Sequence, residues 1–378
     1  MPLLFFKPFM KVLYDHQAFT GVKFGGISRY FYYLMNYYKD RTDIDFDLSL
    51  KYSNNFYLKN QPFAKHLSYD LLSDSKYANR GFSLLNRLNS KKIISRQDFD
   101  IFHPTFYHRY FLDIVGNKPV VLTFHDVTTE KFHEQYPEIG GDMKDLKQTL
   151  LDRADKVIAV SENTRQDILQ YFAVDEKKIK VIHLGTPDIH QNPLKDLQIA
   201  LPEKFILYVG SRDAFKNFAF FLKAASVVLK KHKDLKILCA GAGAFSETET
   251  TMINDLGLSG RIMHIKAQKD AILYSVYQKA LVFVYPSLYE GFGIPVLEAF
   301  ACACPALLSN AGSLPEVGGE AALYFDPARE EELIAQLEKV VEDEQLNKKM
   351  KEDGLERGKL FSWEKTSLQT LEVYKSLM

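Results

Sequence analysis

The chain has 378 residues, 46% hydrophobic and 25% charged, which describes an ordinary globular protein with core enough for two domains. Its 48 basic residues balance 48 acidic ones, so the basic excess expected of a nucleic-acid partner is missing. Three cysteines, Cys239, Cys302 and Cys304, are too few and too badly spaced for a disulfide framework or a four-ligand zinc site. They fit small buried residues in a reducing cytoplasm, and neither a metal nor another cofactor is expected.

No run of about 18 apolar residues occurs, and Lys7 and Lys11 interrupt the opening "MPLLFFKPFMKVLYD", so neither a membrane span nor a signal peptide is expected. Aromatic residues make up 13% and crowd the first half, as in "YFYYLMNYYKD" from Tyr30; most should be core.

In chain order, the short apolar runs are "MKVLYD", "FDIFHP", "PVVLTFHD", "KVIAVS" and "IKVIHLG", then "KFILYVGS", "LKILCAG", "RIMHIK", "LVFVYPS" and "PALLS". They alternate with helical stretches, the pattern of repeated βαβ units and parallel sheets. Ten strands in two sets of five predict an α/β protein of two Rossmann-like domains. The break falls in Gly185 to Phe205, a polar stretch with three prolines and no sustained period, which places a first domain at 1–187, a linker at 188–203 and a second domain from 204. "EEELIAQLEKVVEDEQLNKKMKEDGLERGK" reads as a solvated helix pair with no chemistry implied.

Ligands of open α/β sheets bind beyond the C-terminal strand ends, so the loops there deserve the closest reading. After the first strand, Gly25 and Gly26 precede a helix, where backbone can approach a ligand and free N–H groups can meet an anion; a plain strand-to-helix turn explains them equally well. "TFHD" leaves His125 and Asp126 at a strand tip facing the crevice, where His125 could hold a reacting hydroxyl. In "YVGSRDAFKNF", Arg212 and Lys216 lie four apart at a helix start and can converge on one anionic group. "GAGAF" supplies Gly241 and Gly243, two thirds of a dinucleotide fingerprint with Ser246 in place of the third glycine, a weak signal for a nicotinamide oxidoreductase.

The loop "YEGFGIPVLE" carries two glutamates with seven residues between them. Pro295 suits the first turn of a helix, which places Glu290 on the loop and Glu298 in the first helical turn. Val296 and Leu297 then contribute orphan N–H donors, while Gly291 and Gly293 let main chain approach a ligand. A nucleotide diphosphate would find carboxylates at both ends and donors in the middle.

These residues resemble a family. "EGFGIPVLE" is similar to the E-x7-E signature of the retaining glycosyltransferases of family 4, and "GSRDAFKN" to that family's phosphate-binding arginine and lysine; "GGISRYF", "TFHD", "VIAVSENTRQDI" and "LLSNAGSLPEVGGEAALYFDP" match in order and spacing. The likeness spans roughly residues 10 to 375. It implies the GT-B fold, two Rossmann-like domains facing across a cleft, with the second domain ending near 360 and a last helix, 361–378, crossing back to the first.

Carried over, the resemblance gives Glu298 the donor ribose and Glu290 the transferred sugar, with backbone N–H groups of Gly291, Phe292 and Gly293 beside it. Arg212 and Lys216 would neutralise the departing diphosphate where other transferases use a metal. Gly25 and Gly26 would complete the phosphate cradle from the first domain, and Arg29, His125 and Asp126 would line the acceptor side. The base would lie near Lys266 and Gln268. The resemblance is to bacterial mannosyltransferases of surface polysaccharide assembly, so the expected donor is GDP-mannose with UDP-sugars open, and the acceptor a glycan or lipid-linked saccharide. Ala303 departs from the glycine of many relatives, with an effect expected on helix packing only. A sugar-nucleotide epimerase of the same fold is the alternative. No basic amphipathic stretch stands out, so a non-enzymatic membrane adaptor is not expected, although loose peripheral docking to a membrane is compatible with the aromatic first domain.

Overall fold

The computed structural model describes residues 10–69, 75–137, 143–187, 189, 200–212, 214–241, 243–267 and 270–378. Gln268 and most of the expected linker lie outside the described residues. The strands are β1 (Lys11–Tyr14), β2 (Asp45–Leu48), β3 (Tyr52–Ser53), β4 (Leu67–Ser68), β5 (Ile101–His103), β6 (Val121–Phe124), β7 (Lys156–Ala159), β8 (Ile179–Val181), β9 (Phe205–Val209), β10 (Lys236–Ala240), β11 (Ile262–Ile265), β12 (Val282–Tyr285), β13 (Ala306–Ser309) and β14 (Leu323–Phe325). Between them run the helices α1 (Gly26–Tyr38), α2 (Lys76–Ile94), α3 (Thr128–Phe132), α4 (Lys144–Arg153), α5 (Glu162–Tyr171), α6 (Phe218–Lys231), α7 (Glu247–Asp255), α8 (Asp270–Lys279), α9 (Ile294–Ala301), α10 (Leu314–Gly318), α11 (Glu330–Glu342), α12 (Glu344–Gly358) and α13 (Trp363–Lys375).

In the first half, β2-β1-β5 and β6-β7-β8 are parallel ladders. Phe102 joins them, pairing with Val120 and donating its N–H to the Pro119 carbonyl at 2.9 Å. The second half holds a six-stranded sheet in the order β11-β10-β9-β12-β13-β14, all parallel. Its order reverses between β9 and β12, the switch point of a doubly wound fold. Among the described residues the first half thus has six strands in these ladders, plus a separate two-stranded parallel pair β3-β4, and the second half has six, where five each were expected. The four additions are short or at an edge: Asp45 and Asp47 break up the apolar run of β2, β3 and β4 have two residues each, and β14 is only three residues long.

Helix α1 turns Tyr30, Phe31, Leu34, Met35 and Tyr38 into the core at helical spacing. Against it lies α13, started by Ser362, whose side chain accepts from the Lys365 N–H. Trp363 stacks on Tyr33 with centroids 4.5 Å apart, and the Tyr38 hydroxyl donates to the Ser367 carbonyl at 2.7 Å. The Tyr374 hydroxyl meets Tyr14 at 2.9 Å and His103 Nδ1 at 2.6 Å. The C-terminal helix thus crosses back onto the first domain.

Ala303 follows α9 with φ of +50°, the left-handed conformation that glycine adopts without a Cβ penalty. The departure from glycine is a matter of backbone conformation at a helix end, a correction to the expected packing effect. The three cysteines are free and buried.

Candidate active site

The second domain brings its motif residues to the C-terminal ends of β9 and β12. After β9, Arg212 donates from Nε to Glu249 Oε1 at 2.6 Å and from Nη2 to the carbonyls of Gly243 and Ala244 at 2.9 and 2.8 Å. Glu249 is held in turn by a capping box with Ser246 at the start of α7. Burial alone would raise the Glu249 carboxyl, but Arg212 and the Ser246 N–H hold it below its ordinary value. Lys216 does not share this site. Its Nζ lies 2.6 Å from Glu290 Oε1, over the rings of Phe215 and Tyr285. Each cation has its own carboxylate, and the Arg212 bonds use Nε and Nη2 while Nη1 takes no part in them.

Glu290 is fixed through its backbone, whose carbonyl accepts from the Ser313 hydroxyl at 2.9 Å and the Ser313 N–H at 3.2 Å. Beyond it, α9 begins at Gly293, in the left-handed region with φ of +96°, and Pro295 sits in the first turn. Glu298 is the fifth residue of α9 and so begins the second turn, one step deeper than expected. The N–H of Val296 bonds to the Gly293 carbonyl at 2.9 Å, so the donor expected to be an orphan is engaged. Leu297 and the Phe292 side chain are buried, the latter against His183 and Phe361. Only the backbone of Phe292 can then serve a ligand.

Across the cleft the two domains touch through these same loops. A Cβ on Gly291 would stand 1.9 Å from the His125 carbonyl oxygen, and the Gly291 carbonyl accepts from Ser161 at 2.6 Å and Thr164 at 2.9 Å. The space a side chain would take at Gly291 is thus filled by the other domain. On Gly293, the space for a Cβ is taken by Leu314, at 2.8 Å. Gly26 faces Ile294 of α9 at 3.3 Å from its would-be Cβ, and Gly25 is the N-cap of α1. Arg29, expected on the acceptor side, instead reaches over the cleft: its guanidinium pairs with Glu298 and, at 3.2 Å, with Asp270, while Nε donates to the Tyr57 hydroxyl at 2.8 Å. Tyr277 donates to the other oxygen of Glu298 at 3.2 Å. Burial raises the Asp270 carboxyl above its ordinary value in spite of Arg29.

His125 and Asp126 line a cavity of about 440 Å³ with Phe106, Tyr107, Thr129 and, from the second domain, Phe215. The His125 N–H donates to the Tyr107 hydroxyl at 2.8 Å. Burial pushes the imidazole down to about 4; Asp126 works against this and Lys147 adds to it. Behind the cavity, the buried pair Lys147–Glu130 (2.7 Å) holds the Asp126 carbonyl, which accepts from Lys147 at 3.0 Å. Lys266 is exposed just past β11.

Sequence reasoning missed Glu249, Asp270, Lys147 and Glu130, and also Glu316, which accepts from the N–H groups of Glu162 and Asn163 at 2.8 and 3.1 Å and from His183 at 2.6 Å. Glu249 and Glu316 had a signal, the S-x-x-E pattern from Ser246 and from Ser313.

Comparison with known proteins agrees with this architecture. Residues 24–188 match the family model "Glycosyltransferase Family 4" and residues 191–357 match "Glycosyl transferases group 1". An O-antigen chain mannosyltransferase B of Escherichia coli is 29% identical over 330 residues, 81% of this chain and 86% of its own. A Campylobacter jejuni N-acetylgalactosamine-N,N'-diacetylbacillosaminyl-diphospho-undecaprenol 4-alpha-N-acetylgalactosaminyltransferase is 27% identical over 61% of this chain and 62% of its own. Among solved structures, Anabaena HepE in complex with UDP and glucose superposes with a TM-score of 0.71 at 17% identity, covering 97% of this chain and all (100%) of that one. Fold and site define a two-domain sugar-transferring enzyme of GT-B architecture. The chain belongs to the family 4, group 1 glycosyltransferases.

Proposed function

We propose that this enzyme is a retaining, metal-independent hexosyltransferase that takes GDP-mannose, with UDP-sugars as the other candidates, and glycosylates a glycan or lipid-linked saccharide in surface polysaccharide assembly. The reading is supported by the mannosyl activity named for the Escherichia coli relative, the UDP and glucose in HepE, and the diphospho-undecaprenol in the Campylobacter enzyme's name. The observation that carries it is the Lys216–Glu290 pair at the switch-point end of β12, with Glu298 on the helix that follows.

In this account Glu298 receives the donor ribose, Glu290 the transferred sugar, and the N–H groups of Gly291, Phe292 and Gly293 touch that sugar. Lys216 and the Nη1 side of Arg212 neutralise the diphosphate, aided by Gly25 and Gly26; fixed cations aimed at growing charge do what a divalent metal does elsewhere. Lys266 lies toward the base. An acceptor hydroxyl beside His125 and Asp126 forms its bond to the anomeric carbon on the face from which the carbon–phosphate oxygen bond breaks, and its proton passes to the departing phosphate. The configuration is retained, and Glu290 is not a covalent nucleophile.

Among the described residues no helix is long and apolar enough to cross a membrane, and we place the reaction in the cytoplasm at the inner membrane face. The oxidoreductase reading has only its weak motif, whereas both family models that match are of glycosyltransferases. Hydrolysis of a panel of GDP- and UDP-sugars, with and without a chelator, tests the proposal. GDP-mannose turnover that ignores the chelator and falls about 10²-fold or more in Arg212→Ala is expected; a different preferred donor, or dependence on added metal, would refute those parts of it.

A further inference from the structure

Helix α2 is turned inside out. Its inward face is polar and aromatic: Asn86 and Ser90 are fully buried, the Asn86 amide bonding Tyr52 N–H and carbonyl at 2.8 and 2.7 Å, Ser90 bonding Ser49, and Phe82 stacking on Tyr69 at 4.2 Å. Apart from Ile93 and Ile94, which pack into the core at its C-terminal end, its large aliphatic residues look outward, with Leu84, Leu85 and Leu88 exposed to 47%, 43% and 54%, as does Tyr77 at 86%. At 100° per residue, Tyr77, Leu84 and Leu88 form one stripe, flanked by Arg80, Arg87 and Lys91 on one side and Leu85 and Lys92 on the other. From Ser75 to Gln97 the sequence has no acidic residue, in a chain whose charges otherwise balance. A sequence search for a core-facing apolar stripe passes over this helix, since its leucines do not face the core.

We propose that the outer face of α2 docks on an anionic lipid bilayer, its leucines entering the headgroup region and its cations pairing with lipid phosphates. Leucines ringed by arginine and lysine, without carboxylates, are complementary to such a surface and to few others. This deepens the proposed function and rests on its lipid-linked acceptor. The helix is joined to the acceptor side: Arg87 lies 3.4 Å from His108, in the loop whose Phe106 and Tyr107 line the His125 cavity. Docking there would present the cavity to acceptors held at the membrane.

The test is flotation of the intact chain, without donor or acceptor, on vesicles rich in phosphatidylglycerol and on vesicles of phosphatidylcholine alone. The wild type should float with the anionic vesicles and be released by salt. Leu84→Ser/Leu88→Ser and Lys91→Glu/Lys92→Glu should each lose about tenfold or more in partitioning with unchanged melting temperature, because these side chains are exposed. Equal flotation on phosphatidylcholine, wild-type flotation of either variant, or a dimer that Leu84→Ser/Leu88→Ser dissolves while vesicles capture nothing would overturn the proposal. No donor enters this assay, so its failure leaves the active-site reading standing.

Discussion

Arg29 of the first domain is ion-paired with Glu298 of the second, in the interior of the cleft, where their side chains are only 10% and 4% exposed. Burial opposes the Arg29 charge, but Glu298, Tyr57 and Asp270 outweigh it and keep the guanidinium protonated. The carboxylate proposed for the ribose is therefore already engaged, and a donor must share it or displace Arg29.

The first prediction concerns the strength of that pair. Breaking a buried pair from one side leaves a charge stranded, so Arg29→Met should cost about 3–5 kcal/mol in urea unfolding. Adding Glu298→Gln should cost less than the sum of the single changes by about 1 kcal/mol or more. Additive costs would mean that the pair does not form in solution.

Gly291 sets how closely the domains approach. Gly291→Ala would put a methyl into the His125 carbonyl, which is backbone and cannot swing aside. The expected result is a larger radius of gyration by X-ray scattering and turnover reduced about 10²-fold, because misplacement by about 1 Å is enough for that. Gly81→Ala, which meets nothing within 4 Å, serves as the control and should change neither.

Ala303 holds a left-handed conformation that costs an L-residue about 1 kcal/mol relative to glycine. Ala303→Gly should therefore raise stability by about 1 kcal/mol, less the extra entropy of the unfolded glycine. A loss of stability on thermal unfolding would show that the methyl contributes packing that outweighs the strain.

Stability should fall with acidification through histidines, the buried His125 and His103 foremost, with His16 and His108 also held below the ordinary value by desolvation. Burial lowers His125 to about 4 and His103 to about 3. The unfolded chain takes up these protons near pH 6.5 and the folded one does not, so the stabilisation is complete above about 6.5 and is lost as pH falls toward the folded values. His125 alone accounts for about 3 kcal/mol over that interval. His125→Asn should flatten the slope between pH 6.5 and 4, the remainder belonging to His103, His16 and His108; an unchanged slope in urea midpoints would show His125 to be protonated in the folded protein.

The parts of this molecule legible in the sequence are those set locally. Buried strands read as continuous apolar runs, so ten were recognisable; β2 and β14 sit at sheet edges and β3 and β4 have two residues each, and partial exposure or short length erases that signal. The loops bearing Arg212, Lys216 and Glu290 were found because doubly wound sheets put ligand loops at strand ends. Which carboxylate each cation meets was not legible, since Glu249 comes from α7, 37 residues on from Arg212, and Glu290 from a loop 74 residues away from Lys216. The cross-domain contacts, Arg29 with Glu298, Gly291 with His125 and Glu316 with α5, depend on how two finished domains dock, and no periodicity records that. Gly291 and Gly293 show the ambiguity of a glycine: room for a ligand and room for a neighbouring element look the same in sequence.

In the proposed binding mode a sugar nucleotide lies along the loop from Glu290 to Glu298. Calorimetric titration of GDP-mannose into the wild type and into Glu298→Ala tests it most directly, using no acceptor. Saturable binding by the wild type, weakened at least about tenfold in the variant by loss of the ribose contacts, is the predicted result. Equal affinity in the two proteins would contradict it.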